Sequence, residues 1–147
     1  MNLASAALHE LERTFADDPM GPAPSGVFRG RFLAYVDSPG ARKPWVRALD
    51  TLMFRAPTFG VDFDRTAWWF FRPTTQAGRF RAERRRSRWR TTDVWALTYE
   101  TSRLPGPIKG LLYDEVKPLT ADLLLGLGGI NAGAGTGDHF FFSLERI

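Results

Sequence analysis

His139 is the only histidine in the β-rich part of this sequence, and it is a candidate for acid–base chemistry. The sequence holds two histidines, and His9 belongs to a segment with helical spacing. Because an imidazole can accept and return a proton near neutral pH, His139 could act as a general base. On a strand it shares a face with Phe141, whereas Phe140 and Phe142 lie on the other face. If the more apolar face points inward, His139 lies outside and this role is lost.

Two tyrosines and three carboxylates lie on two segments that we expect to be neighbouring strands. They are Tyr99, Glu100, Tyr113, Asp114 and Glu115. A tyrosine or carboxylate that projects into an apolar cavity has its pKa raised or hydrogen-bonds a ligand. For the carboxylates, a solvated outer face with cross-strand pairs is the alternative that we favour. Tyr99 and Tyr113 are therefore predicted to line a cavity and, in an enzyme, to be catalytic together with His139.

Arginines are concentrated in one part of the chain. The net charge is +4, and eight arginines lie between Arg72 and Arg90. Alternate residues of a strand share a face, so Arg84, Arg86, Arg88 and Arg90 would form a row of positive charge, and we predict that Arg84, Arg86 and Arg88 bind an anion. The anion could be a phosphate backbone, an anionic lipid or a ligand carboxylate. We favour a solvated edge strand whose charges block edge-to-edge pairing, and nucleic acid is disfavoured because the aromatic residues cluster outside the run.

The elements that position these residues are predicted to be mainly strands. Apolar segments are separated by loops that are too short for a helix, so the strands should pair antiparallel, because a parallel crossover needs roughly a dozen residues or more. The predicted strands comprise residues 26–36, 66–72, 79–89, 94–101, 108–116, 122–130 and 138–147. About seven or eight antiparallel strands without an internal repeat indicate a single β-barrel, and small barrels often hold a ligand.

Two helices are predicted beside the barrel. Apolar residues at steps of three and four indicate an N-terminal helix over residues 1–18, which ends before Pro19. A second helix is predicted over residues 44–56, because Pro44 suits the first turn of a helix and Pro57 stops it. A chain of 147 residues has the size of one domain, so residues 1–147 are predicted to form a single barrel domain.

Composition excludes several kinds of site. The chain has no cysteine, which rules out disulfides, thiolate metal sites and a cysteine nucleophile, and two histidines are too few for a zinc site. Aromatic residues form 14% of the chain, with 12 Phe and 5 Trp, more than a core alone requires. No apolar run approaches the roughly 20 residues of a membrane-spanning helix, so we expect a cytoplasmic protein without a membrane span.

The segment Gly26-Val-Phe-Arg-Gly30, which opens the first strand, resembles the Gly-x-Trp-x-Gly motif of lipocalin-like (calycin) barrels, with Phe28 in place of the tryptophan. In such barrels that aromatic residue closes one end beneath a basic side chain. The chain also resembles nitrobindin-like haem barrels, which open on the same motif and place a proximal histidine near the start of the last strand, as His139 is placed here. This second resemblance implies haem binding through His139. A Soret band in the purified protein would test it.

These observations predict a binding protein for a small, largely apolar molecule, with or without a carboxylate, held in an aromatic-lined barrel cavity. The residues predicted to line the cavity are Phe28, Phe32, Trp68, Tyr99, Tyr113, Leu125, His139 and Phe141. The alternative is a cofactor-free cyclase or isomerase on the same barrel, with proximity supplying much of the rate. Haem binding is a further alternative. The segment Trp68–Phe71 is apolar on both faces, which allows a helix or the second subunit of a homodimer to cover it.

Overall fold

The computed structural model describes residues 2–36, 58–103, 105–109, 112–130 and 139–147. Strands dominate these residues. A 3-10 helix at Leu3–Ser5, helix α1 (Leu8–Asp17) and a single helical turn at Gly106–Lys109 accompany nine strands. The strands are β1 (Val27–Val36), β2 (Phe59–Asp62), β3 (Ala67–Phe70), β4 (Gln76–Arg79), β5 (Arg81–Arg86), β6 (Asp93–Thr98), β7 (Leu112–Pro118), β8 (Leu123–Ile130) and β9 (His139–Arg146).

The strands form one antiparallel sheet that is nearly closed into a barrel. Their order is β4-β3-β2-β1-β9-β8-β7-β6-β5, so β4 and β5 are the two edges. Only Phe80 separates these two strands in the chain, and its N–H donates a 2.9 Å hydrogen bond to the carbonyl of Thr66. The chain therefore crosses directly from one edge to the other. The predicted antiparallel barrel is confirmed, with nine strands in the described ranges instead of seven or eight.

The larger hydrophobic core lies inside the barrel. Inward side chains alternate along each strand, and on β9 the inward set is the apolar one, Phe140, Phe142 and Leu144. The other buried members of this core are Phe28, Val61, Phe63, Phe80, Leu97, Tyr99, Val116 and Leu124. The aromatic excess of the sequence is thus largely used within the barrel.

A second core lies on the outer face of the sheet, beneath α1. The predicted N-terminal helix is confirmed over Leu8–Asp17, a shorter span than the predicted residues 1–18, and the Glu10 carboxylate accepts a 2.7 Å hydrogen bond from the N–H of Ala7 at its start. Leu11 and Phe15 of α1 are fully buried against outward residues of β6, β8 and β9. Those residues are Val94, Leu125, Leu127 and Phe141. The helix therefore covers one side of the barrel.

One end of the barrel is closed around Phe28, which is fully buried. The guanidinium carbon of Arg146 lies 4.8 Å from the centroid of the Phe28 ring, and Arg146 Nε is 2.8 Å from Asp122 Oδ1. Gly26 has φ +92°, and a Cβ atom there would lie 2.2 Å from Arg146 Nη1. Only glycine therefore suits the residue before β1, since it adopts this φ and leaves room for the arginine.

The described part of the structure does not test every prediction made from the sequence. The predicted helix at 44–56 lies outside the described part of the chain. Within the described part, no helix is long and apolar enough to cross a membrane. The predicted homodimer and the predicted cytoplasmic location stay predictions.

Candidate functional site

A cavity of about 220 Å³ lies inside the barrel, toward the end opposite Phe28. Residues from seven strands line it, and most of them are aromatic or small. They are Phe32, Phe59, Trp68, Phe70, Ala77, Gly78, Leu112, Gly129, Phe140 and Phe142, together with Tyr99 and Asp114. An apolar cavity with a few polar groups is the usual form of a small-molecule site.

The polar groups of the cavity form one hydrogen-bonded chain. Trp68 Nε1 donates a 2.5 Å hydrogen bond to the Tyr99 hydroxyl, and that hydroxyl donates to Asp114 Oδ2. Each member comes from a different part of the barrel: Trp68 from β3, Tyr99 from the residue after β6, and Asp114 from β7. This series of hydrogen bonds therefore spans the interior. Strands β6 and β7 are neighbours in the sheet, and their pairing brings the tyrosine and the carboxylate together.

Burial has the largest effect on the pKa values of Asp114 and Tyr99 in this hydrogen-bonded series. It raises the pKa of Asp114 to about 7, and the nearby Glu115 carboxylate adds to the increase, while the hydrogen bond from Tyr99 opposes it. Burial and the Asp114 charge likewise raise the pKa of Tyr99 well above its ordinary value, so the phenol stays protonated. Asp114 thus changes its charge near neutral pH and is the group of the cavity that is suited to acid–base chemistry.

Gly128 makes room for the Asp114 carboxylate. The two residues are partners in the β7–β8 pairing. A Cβ atom at Gly128 would lie 2.2 Å from Asp114 Oδ1 and 3.1 Å from the Phe140 ring. Any larger residue would therefore push the carboxylate away from Tyr99, and the glycine in β8 is part of the site.

Of the residues predicted to bind a ligand, three line the cavity: Phe32, Trp68 and Tyr99. Phe28 lies deeper in the same core, where it closes the barrel. Asp114, one of the three carboxylates for which a solvated outer face was the favoured expectation, lies inside the barrel. The signal that could have placed it inside is parity, because Leu112 and Val116 share its face of β7 and are apolar.

The other four predicted residues, Tyr113, Leu125, His139 and Phe141, lie on the outer face of the sheet. Leu125 and Phe141 are fully buried in the core beneath α1, so they contact the helix and not the cavity. The physical reason is the alternation of side chains along a strand: β8 and β9 turn their more apolar or smaller residues inward. This outcome for His139 is the one that follows when the apolar face of β9 points into the barrel.

Tyr113 belongs to a buried polar cluster on that outer face. The carboxylate of Glu115 accepts hydrogen bonds from Tyr113 Oη at 2.9 Å, Ser87 Oγ at 2.6 Å and the N–H of Arg88 at 2.6 Å. Burial raises the pKa of both Glu115 and Tyr113. Because Glu115 joins β7 to the β5–β6 connection, the cluster positions that connection.

His139 is held beside the same connection. It is 3% exposed, its ring stacks on Trp89 with centroids 5.0 Å apart, and its Nε2 lies 3.1 Å from Arg90 Nη2. Arg90 in turn binds Glu12 of α1 through two hydrogen bonds of 2.5 Å. The arrangement does not fit a haem ligand in the barrel cavity, since the imidazole lies on the other side of the sheet and contacts Arg90.

The arginine row ends earlier than predicted. Arg84 and Arg86 lie on β5 and both contact Asp93, at 3.3 and 3.5 Å. The hydrogen bond from Arg84 is the largest cause that lowers the pKa of Asp93. Strand β5 ends at Arg86, so Arg88 leaves the row and its guanidinium carbon lies 3.8 Å from the centroid of the Tyr113 ring. Anion binding by Arg84, Arg86 and Arg88 stays a prediction.

Metal ligands are not clustered in the described residues: no three side chains of histidine, aspartate or glutamate there come close enough to hold an ion.

Comparisons with known proteins extend the account of the fold. No protein-family model matches the chain, and no curated protein matches it. A crystal structure of a protein from Thermomonospora curvata is similar over 97% of this chain and 88% of that one, with 19% identity and a TM-score of 0.53. At this identity the similarity shows a shared fold and carries no activity from one protein to the other.

Proposed function

We propose that this protein binds a small, largely apolar molecule inside the barrel, with its polar end against Asp114. The observation that carries the proposal is the aromatic cavity of about 220 Å³ with one hydrogen-bonded carboxylate in its wall. An engineered apolar cavity of about 150 Å³ holds benzene, so this cavity suits a ligand of roughly nine non-hydrogen atoms. The aromatic side chains that line the cavity offer flat surfaces to such a ligand.

We also propose that the barrel is of the lipocalin-like (calycin) type. The support is the geometry of Gly26-Val-Phe-Arg-Gly30. Phe28 closes one end of the barrel beneath the guanidinium of Arg146, which is the arrangement that the resemblance implies. A Cβ atom at Gly30 would lie 2.1 Å from the Phe59 ring, so the second glycine of the motif makes room for a cavity residue.

Binding in the cavity can be tested with benzyl alcohol as a neutral probe and a variant that fills the cavity. Ala77 lines the cavity at an exposed position of the edge strand β4, next to its strand partner Trp68, so Ala77→Phe would add a large ring to the cavity wall. Isothermal titration calorimetry should show binding of one benzyl alcohol to the natural protein and loss of binding in Ala77→Phe. Ala4→Phe adds the same side chain at an exposed position of the N-terminal 3-10 helix and should bind normally. Equal binding by both variants would refute the proposal.

Catalysis is a second candidate because the pKa of Asp114 lies near 7. A carboxylate at this pKa can remove a proton from carbon and return it at another position, which is the work of a cofactor-free isomerase. The probe 3-cyclohexenone fits the cavity by size, and its conversion to the conjugated 2-cyclohexenone would be followed by absorbance. Catalysis requires turnover that Asp114→Asn abolishes while binding is largely kept. Binding without turnover would leave the first proposal standing alone.

A further inference from the structure

The hydrogen bonds of the cavity run in one direction. The Trp68 N–H is donated to Tyr99, and the Tyr99 O–H is donated to Asp114. Indole has only one polar hydrogen and a phenol has only one, so both donors of the chain are already in use. What the ionised hydrogen-bonded series offers to the cavity is an acceptor at its end, the Asp114 carboxylate. A ligand that donates hydrogen bonds matches this arrangement.

The residues that line the cavity also favour a positively charged ligand. None of the described residues that line it is a lysine, arginine or histidine, and Asp114 is the carboxylate among them. Aromatic rings dominate the lining, and the face of an aromatic ring attracts a cation. Phe32 and Phe59 pack with ring centroids 4.7 Å apart, and Phe59 and Trp68 with centroids 6.1 Å apart. The lining thus combines a carboxylate with several aromatic rings.

The groups that face Asp114 reinforce this preference. Tyr99, the residue after β6, is the facing group that titrates, and from β8 the facing residue is Gly128. On its own strand the neighbouring Glu115 is acidic and raises the pKa of Asp114. Trp68, which reaches the same chain from β3, is neutral. Among these neighbours no cation is present to stabilise the carboxylate, so a ligand cation would supply what the barrel does not.

We propose that the ligand of the cavity is a small organic amine, bound as a cation that donates hydrogen bonds to the Asp114 carboxylate and packs against aromatic rings. This inference rests on the proposed binding function and specifies its ligand class. It disfavours a carboxylate ligand, because its negative charge would meet that of Asp114 without an arginine or lysine in the described lining.

The test compares three probes of nearly equal size: benzylamine, benzyl alcohol and benzoate. Binding to the natural protein would be measured by calorimetry between about pH 5.5 and about pH 8.5, on either side of the Asp114 pKa of about 7. Benzylamine is a cation over this range. If it binds the ionised carboxylate, its apparent affinity should fall about 30-fold between the upper and the lower pH, as the ionised fraction falls. Benzyl alcohol should change little, and benzoate should bind most weakly at the upper pH.

Two variants complete the design. Asp114→Asn keeps the size of the side chain and removes the charge, so benzylamine should lose both its preference over benzyl alcohol and its pH dependence. Glu145→Gln removes an exposed carboxylate from β9 and should retain both the preference for benzylamine and its pH dependence. Benzyl alcohol binding by Asp114→Asn shows that the variant is folded.

The outcomes separate the two proposals. If benzyl alcohol binds and Ala77→Phe abolishes its binding, the cavity is a binding site. The amine proposal is then refuted if benzylamine binds no more tightly than benzyl alcohol at the upper pH. It is also refuted if the preference for benzylamine survives in Asp114→Asn. Failure of all three probes, or binding that Ala77→Phe leaves intact, refutes both proposals.

Discussion

Asp114→Asn should stabilise the protein, and the gain should depend on pH. Burial raises the pKa of Asp114 from 3.8 to about 7 in the folded chain. Each pKa unit corresponds to about 1.4 kcal/mol, so ionising this carboxylate in the folded state costs about 4 kcal/mol relative to the unfolded state. An asparagine avoids that cost, and its carbonyl can still accept the hydrogen bond from Tyr99.

The direction of the pKa change determines how the stability difference between the variant and the natural protein depends on pH. Below about pH 4, Asp114 is protonated in both states, and the variant and the natural protein should be equally stable. Between about pH 4 and about pH 7 the unfolded chain ionises and the folded one does not, so the natural protein loses stability relative to the variant. Above about pH 7 the difference should level off near its maximum. At this chain length, about 4 kcal/mol corresponds to about 10 °C in melting temperature.

Urea unfolding at a series of pH values would measure this difference for Asp114→Asn. The matched control is Glu145→Gln, which removes an exposed carboxylate. This substitution should change the unfolding free energy by less than about 0.5 kcal/mol. A gain for Asp114→Asn that is the same at every pH would contradict the account of the site. So would a variant that is less stable than the natural protein at about pH 8.

Two substitutions of glycine test how space is used in the barrel. Gly128→Ala places a Cβ atom 2.2 Å from Asp114 Oδ1, so calorimetry should show loss of the benzylamine preference and urea unfolding a loss of about 1–3 kcal/mol. Gly30→Ala places a Cβ atom 2.1 Å from the Phe59 ring and should lower the unfolding free energy by a similar amount. Gly106→Ala, with nothing within 4 Å of the added Cβ, is the control and should change stability little. Wild-type stability in either of the first two variants would refute the packing described for it.

The barrel could be predicted from sequence because its strands carry strong patterns. Trp95, Leu97 and Tyr99 alternate along one predicted strand, and all three belong to the interior core or pack against it. The short strands β2 and β4 were missed, since four residues that include a glycine leave little pattern to recognise. Alternation fixes which residues share a face, but the direction of that face depends on the neighbouring strands.

The site was predicted only in part for the same reason. On β9, the apolar set turns inward and His139 lies outside, an outcome that the alternation allowed but did not decide. On β7 the polar Asp114 lies inside because Tyr99 donates to it and Gly128 leaves space for it. The apolar Leu112 and Val116 on the same face of β7 indicate that direction, but Tyr99 and Gly128 come from other parts of the chain, so the sequence of β7 alone does not show what holds the carboxylate there.

The ionisation of Asp114 in the presence and absence of a ligand tests the central claim most directly. Carbon-13 NMR of the side-chain carboxyl groups, with the signal assigned by its loss in Asp114→Asn, would follow this titration. We predict a midpoint near 7 in the free protein, as burial requires, and a lower midpoint when benzylamine is bound. A midpoint near the ordinary aspartate value, unchanged by benzylamine, would contradict the account.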